Sequence, residues 1–250
     1  MVHTHIHSVY SGDSKLTPKY IIEQAVANNH TACAITDHGT IKGLKEFQKE
    51  ALEKNIKPIL GCEAYITESF SALLPNHLVL LIKDKNGYDN LNKLFELSVQ
   101  KKRKNLRKRF FKINELFESK DGLIVTTACL SSVFSNLLKD KKIEKAEELF
   151  EIFSFEFNDD FFAEVQLSVC KEQKSYNDWI ISQAKRLNIP VILTGDCHSL
   201  KKEKFLHYQN EKEFKEFNKA FKYNYKEKLI DEWLDNTNII SDKVNFLIDV

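Results

Sequence analysis

The sequence predicts an α/β fold with a largely parallel sheet or barrel, and three observations make that prediction. Short apolar runs of strand length recur along the chain, as at residues 32–36, 78–82, 123–127 and 191–194. Segments with helical apolar spacing separate them, the alternation that βα units produce. An apolar fraction of 42% with only seven Gly and four Pro in 250 residues supports a substantial core and argues against disorder.

In chain order, residues 2–7 read as the first strand, and Thr17-Pro18 opens a helix through Asn28, with Thr17 as N-cap and Pro18 in the first turn. A strand at 32–36 precedes a helix near 41–54, and 57–64 is a third strand. Residues 78–82 make a fourth, followed by a helix over about 87–109. A strand at 123–127 leads into helices near 130–138 and 143–153. Residues 161–167 form a strand, 174–187 a helix and 191–194 the last clear strand. The tail beyond Leu200 is rich in Lys and aromatics and mostly helical in pattern, with Ile239, Ile240, Val244 and Phe246 available to dock it on the body. One domain over 1–250 is expected, with the barrel in about 1–200 and a helical extension over about 201–250.

Bulk properties exclude several classes. The 37 basic residues nearly balance 36 acidic ones, so any nucleic-acid surface must be a local patch. Five scattered cysteines (33, 62, 129, 170 and 197) form no CxxC pair, and no apolar run approaches bilayer length. The N-terminus MVHTHIH lacks the apolar core of a signal peptide. A cytoplasmic protein without a membrane segment is expected, its thiols free or metal-bound.

The chemistry-bearing residues sit at strand ends. His3, His5 and His7 alternate, and residues two apart on a strand share a face, so all three imidazoles are expected to point one way. Neutral imidazole suits zinc and related transition metals. Asp196 and His198 likewise share a face just past the strand at 191–194, where α/β enzymes place their sites. Thr36-Asp37-His38-Gly39 follows the second strand, and Gly61-Cys62-Glu63 lies in the third. Cys62 and Cys197, one residue from these candidates, should turn to the packing side. Cys33 and Cys170 read as small buried apolar residues.

These spaced motifs (HTHIH, SGD, TDHG, GCE, NHLVLL, CL and GDCH) together resemble the PHP (polymerase and histidinol phosphatase) domain at the N-terminus of bacterial DNA polymerase III α subunits, from Val2 to about His207. The resemblance implies a distorted TIM-like (βα)7 barrel and a nine-ligand site for two to three divalent ions, zinc, manganese or iron. By that resemblance Glu63 bridges two metals, one also held by His5, His7 and Asp196, the other by His77 and Cys129. A third would take Asp13, His38 and His198. Glu63, Asp196 and His77 are expected to act most directly in the chemistry, and His3 to stand behind a ligand and orient it. No position of the set is missing, which implies retained catalysis.

The implied reaction is metal-dependent phosphoester hydrolysis. Such ions bind phosphoryl oxygens, bring the pKa of a water to roughly 7 and stabilise the departing oxygen, so no Ser or Cys nucleophile is required. A stand-alone 3′–5′ exonuclease acting on a DNA 3′ end is the expectation. The chain stops where the family's polymerase core would begin, which implies a separately encoded replicative polymerase as partner. Seven basic residues, Lys101, Lys102, Arg103, Lys104, Arg107, Lys108 and Arg109, followed by Phe110 and Phe111, are the candidate nucleic-acid contacts. A phosphatase of the histidinol phosphate type and a non-catalytic replicase scaffold are the alternatives.

Overall fold

The computed structural model describes residues 1–67, 76–100, 110–200 and 206–249. The basic run at 101–109 lies outside them. Among the described residues, β1 (Ala32–Ile35), β2 (Lys57–Thr67), β3 (Asn76–Ile82), β4 (Phe110–Lys112), β5 (Leu123–Thr126), β6 (Phe161–Val165) and β7 (Val191–Leu193) form one curled sheet. Its order is β1-β2-β3-β5-β6-β7, with β4 added to β2. The helices are α1 (Pro18–Ala27), α2 (Leu44–Glu53), α3 (Lys85–Gln100), α4 (Ile113–Phe117), α5 (Val133–Lys139), α6 (Ile143–Phe157), α7 (Lys171–Leu187), α8 (Glu211–Ala220) and α9 (Glu227–Lys243).

The architecture is the expected distorted TIM-like barrel, and the distortion has two sources. First, β3 runs antiparallel to both β2 and β5, while the β1–β2, β5–β6 and β6–β7 pairs are parallel. Second, residues 2–7 close the ring without being a regular strand. On one side they accept from Ala34 N (2.8 Å, to His3 O) and Thr36 N (2.7 Å, to Ile6 O). On the other, His7 N donates to Cys197 O (2.9 Å) and Cys197 N to His5 O (3.3 Å). Only His3 and Ile6 make bridge partners, with Cys33 and Cys197, so the pleat is interrupted between them.

Strand alternation sorts the apolar residues into two clusters. Ile6, Cys33, Ile35, Leu60, Cys62, Leu80, Val125, Ala163 and Leu193 face the helices. Val2, Ala34, Ile59, Val79, Leu81, Ile124, Phe162 and Ile192 form a separate floor inside the barrel. Above that floor the same inward positions turn polar, with Glu63, Thr126, Glu164 and Thr194 all buried. Gly61 marks where β2 exchanges its partner β1 for β3. A Cβ there would come 2.5 Å from Leu80 O, so only glycine permits the close approach.

Local chemistry explains most element boundaries. Thr17 Oγ1 accepts from Tyr20 N and Pro18 opens α1, as the sequence predicts. The helix expected from residue 41 begins at Leu44, and that expected from 174 begins at Lys171. Cys170, expected to be buried, is exposed at the position that precedes α7, where its side chain makes no capping bond. Helix α9 crosses the base of the barrel: Ile240 and Val244 join the interior floor, and Thr237 Oγ1 accepts from Val2 N at 2.7 Å. Phe246 stacks on Tyr88 instead, and Ile239 stays 38% exposed.

Because Ile240 fills the barrel floor, truncating it removes contacts shared by several strands. Ile240→Ala should cost about 2–5 kcal/mol of unfolding free energy. Urea melts reading a lower midpoint at unchanged slope would check this, and an unaltered midpoint would contradict the packing described.

Candidate metal centre

Nine side chains from distant parts of the chain meet at one end of the barrel. Parallel strands deliver their C-terminal ends there: His38 follows β1, Glu63 lies in β2, Cys129 follows β5, and Asp196 and His198 follow β7. His77 opens its strand rather than closing it, yet it arrives at the same end because β3 is antiparallel and pairs His77 with Tyr65 of β2. Ala128, held at φ 54, redirects the chain after β5 so that Cys129 reaches the group. Asp13 sits one residue beyond Gly12, whose φ of 83 ends a tight turn over Val9–Ser11.

Glu63 is the centre of the group and is fully buried. Its Oε1 lies 3.4 Å from His5 Nε2, 3.0 Å from His77 Nδ1 and 3.3 Å from Cys129 Sγ. Its Oε2 lies 3.3 Å from His7 Nε2 and 2.7 Å from His38 Nδ1. Asp196 Oδ1 is 3.5 Å from His5 Nε2 and 3.3 Å from His7 Nε2. At the open side, where Asp13 is half exposed, its Oδ2 stands 3.1 Å from His38 Nε2 and 3.7 Å from His198 Nε2.

The donor set fits divalent cations. His5 Nε2 and His7 Nε2 face each other at 3.1 Å, an arrangement in which one nitrogen at most can donate. Glu63 Oε2, Asp196 Oδ1 and His38 Nδ1 are buried close to several polar atoms yet make no hydrogen bond of acceptable geometry among the described residues. Such atoms lie close enough together to be satisfied by a shared cation. Within 4.8 Å the donors fall into three groups: His5, His7 and Asp196; His38, Glu63 and His77; and His7, Asp13, His38 and His198. Mixed nitrogen, oxygen and sulfur donors suit zinc, iron or manganese better than magnesium.

Taken by themselves, these groups settle their charges by sharing protons. Burial would raise Glu63 and Asp196, but His5 and the other facing imidazoles hold both carboxyls well below their usual range. Burial pulls the imidazoles down; at His5 the Glu164, Asp196 and Glu63 carboxylates outweigh it, and at His38 Asp13 and Glu63 raise the pKa to about 9. His7, where burial prevails, falls to about 4. Burial and the Glu63 and Asp196 carboxylates push the Cys129 thiol well above its ordinary value, so its thiolate needs a cation beside it.

Residues outside the nine hold them in place. Ser11 Oγ donates to Asp37 Oδ1 (3.1 Å) while accepting from His38 N (2.8 Å) and His7 Nδ1 (2.9 Å), which leaves His7 Nε2 facing the group. Asp37 also accepts from Ser8 N (2.5 Å) and Ser8 Oγ (2.8 Å) and so fixes the loop that carries Asp13. His198 Nδ1 donates to the Asp196 carbonyl at 3.1 Å. In the sequence Ser11 and Asp37 stand inside the SGD and TDHG motifs with no role assigned to them, and Glu164 went unremarked. For Glu164 a signal existed, an acidic residue inside the apolar strand at 161–167.

One expectation fails. His3 does not share the face of His5 and His7, because the interrupted pleat turns it outward. Its Nε2 meets Gln209 O at 2.6 Å and its ring packs on Tyr208, touching none of the nine. Burial lowers its pKa to about 3. Cys62 and Cys197 do turn to the packing side and are fully buried.

Three comparisons bear on these features. A profile of the PHP domain family matches residues 3–168. The DNA polymerase III subunit alpha of Borreliella burgdorferi is 33% identical over 213 residues, covering 81% of this chain and 18% of the relative. Its Campylobacter jejuni counterpart is 32% identical over 222 residues, with the same coverage of both. The chain thus spans under a fifth of the length of these relatives. Among solved structures, a candidate metal-dependent phosphoesterase from Bifidobacterium adolescentis aligns with a TM-score of 0.57 at 14% identity, covering 87% of this chain and 95% of its own. An amidohydrolase from Chromobacterium violaceum, solved with sulfate and no metal, gives 0.55 at 14%, covering 86% and 96%. At such identity these two likenesses establish the fold.

Proton sharing sets a pH signature for the metal-free chain. Folded His38 keeps its proton from pH 6.5 to about 9 while the unfolded chain does not, so its stabilisation is lost as pH rises through that window. His7 and His3 act oppositely: the unfolded chain takes up protons below 6.5, the folded one not until about 4 and 3, so stability falls as pH drops from 6.5. Chelator-treated protein should therefore melt highest near pH 6.5. Manganese or zinc should abolish the alkaline decline, since ligation requires neutral imidazoles. Thermal melts between pH 4.5 and 9 test this, and a metal-free Tm still climbing at pH 9 would contradict it.

Proposed function

The chain belongs to the PHP domain family, and from that premise we propose that it is a metal-dependent phosphoesterase whose nine convergent side chains are its ligands. The observation that supports this most is Glu63, a buried carboxylate within 3.4 Å of donors from four other chain segments. On this reading His5, His7, Glu63 and Asp196 hold one ion, Glu63, His77 and Cys129 a second, and Asp13, His38 and His198 a third.

When bound, such ions supply Lewis acidity toward phosphoryl oxygens and bring a water's pKa toward roughly 7. The protein's own residues do the rest. Ser11 and the Asp196 carbonyl keep protons on the far nitrogens of His7 and His198, so their lone pairs face the substrate side. Glu63 and Asp196, held ionised, supply fixed negative charge. The half-exposed Asp13, with His198, lies on the side from which a phosphoester enters.

We infer a DNA 3′ end as substrate, cleaved in the 3′–5′ direction beside a replicative polymerase in the cytoplasm. The relatives support this, being named as DNA polymerase III alpha subunits. No helix among the described residues is long and apolar enough to cross a membrane.

Purified protein loaded with manganese, zinc or iron and given 3′-labelled single-stranded DNA and a panel of phosphomonoesters should release nucleotide from the DNA. Hydrolysis confined to the monoesters would replace the exonuclease reading with a phosphatase. No hydrolysis of either would leave a scaffold. Glu63→Ala should lose bound metal and reduce turnover by about 100- to 1,000-fold or more while keeping its circular dichroism; full turnover in that variant would overturn the assignment.

A further inference from the structure

Glu164 is an ionisable group sealed inside the barrel, 1% exposed, between the apolar floor and the nine converging side chains. Its position in β6 alternates with Ala163 and Val165, which face the helices, so the strand itself aims the carboxylate inward. A carboxylate placed there is costly unless its oxygens are satisfied. They are. Oε1 accepts from Gln166 Nε2 at 2.7 Å and lies 2.7 Å from His5 Nδ1, while Oε2 accepts from the Thr126 hydroxyl. The Glu164 backbone N donates to Thr127 Oγ1 at 2.9 Å, pinning the residue from behind.

We propose that Glu164 is a positioning residue that fixes the tautomer and ring orientation of His5. Gln166 Nε2 and the Thr126 hydroxyl already donate to this carboxyl group, which leaves it to accept from His5 Nδ1; with a cation bound, the ring keeps its one proton there and turns the Nε2 lone pair toward Glu63, Asp196 and His7. Gln166 and Thr126 hold the carboxylate beside His5 Nδ1. The negative charge behind the ring also makes Nε2 a stronger donor to a cation. A purely structural need in this polar tier could be met by a neutral amide, whereas strengthening a ligand requires the charge.

This inference rests on His5 being a metal ligand, and the experiment separates the two. Wild-type, Glu164→Gln and Thr126→Val proteins are stripped, then titrated with zinc against a fluorescent chelator, with metal-free melting temperature and bound equivalents recorded in parallel. Glu164→Gln should bind about one equivalent 10- to 100-fold more weakly, with the remaining sites and the metal-free Tm near wild type. Thr126→Val, which keeps the charge but frees Oε2, should weaken the same equivalent by a smaller factor. A wild-type protein that takes up no zinc would sink the ligand reading, and this inference with it. Wild-type affinity in Glu164→Gln would sink the inference alone. So would a drop in metal-free Tm with affinity unchanged, since that is what a structural role produces. If Glu164→Gln does not fold, Thr126→Val decides: weaker binding of one equivalent supports the proposal, and unchanged binding overturns it.

Discussion

A carboxylate with no access to water, Glu63, is the constraint around which the rest of the structure is arranged. Both its oxygens are surrounded by ring nitrogens and a thiol, and the carboxyl groups of Asp196 and Glu164 meet the two nitrogens of the same His5 ring at 3.5 and 2.7 Å. Burying that much charge is affordable only if positive charge comes with it. Protons on His5 and His38 serve in the metal-free chain, and dications serve better because each replaces several protons and satisfies several lone pairs at once. The electrostatics that make the site unfavourable alone are the ones that select its ligand.

The barrel converts this constraint into geometry. Parallel strands bring the residues after β1, β5 and β7 to one mouth. Reversing β3 is what allows a residue at the beginning of a strand, His77, to join them. Closing the ring with residues 2–7 places His5 and His7 beside Asp196, through backbone bonds on both sides of the segment. The interruption of pleat in that segment sends His3 outward while its two neighbours in the pattern turn inward. The site also depends on parts of the chain far from it. Helix α9 fills the base of the barrel, and residues 206–209 brace the 196–198 segment, with His198 N donating to Leu206 O at 2.7 Å and Cys197 Sγ to Gln209 Oε1 at 3.4 Å.

Legibility in the sequence tracked the range of the interactions involved. The alternation of strand and helix, the capped start of α1 and the strand-end positions of His38, Asp196 and His198 are local and were readable from pattern. The outward turn of Cys62 and Cys197 followed from alternation alone. The roles of Glu164 and Ser11 and the placement of His3 were not readable, because each is fixed by partners between 26 and 206 residues away; the acidic residue in an apolar strand flagged Glu164 without showing what it meets. Cys170 failed for a related reason: a small apolar residue looks buried until its helix is seen to begin there.

By itself the sequence placed His38, Asp196 and His198 just past strand ends and turned Cys62 and Cys197 away from them, since period-2 alternation and capping act over a few residues; Asp13, His77 and Cys129 joined the candidate set only through the family resemblance. Only the tertiary structure decided that β3 runs backward, that the first segment breaks its pleat, and that a glutamate from β6 stands behind His5. Those outcomes depend on strand direction, ring closure and the pairing of buried charges, which are properties of the packed barrel and of no shorter stretch of chain.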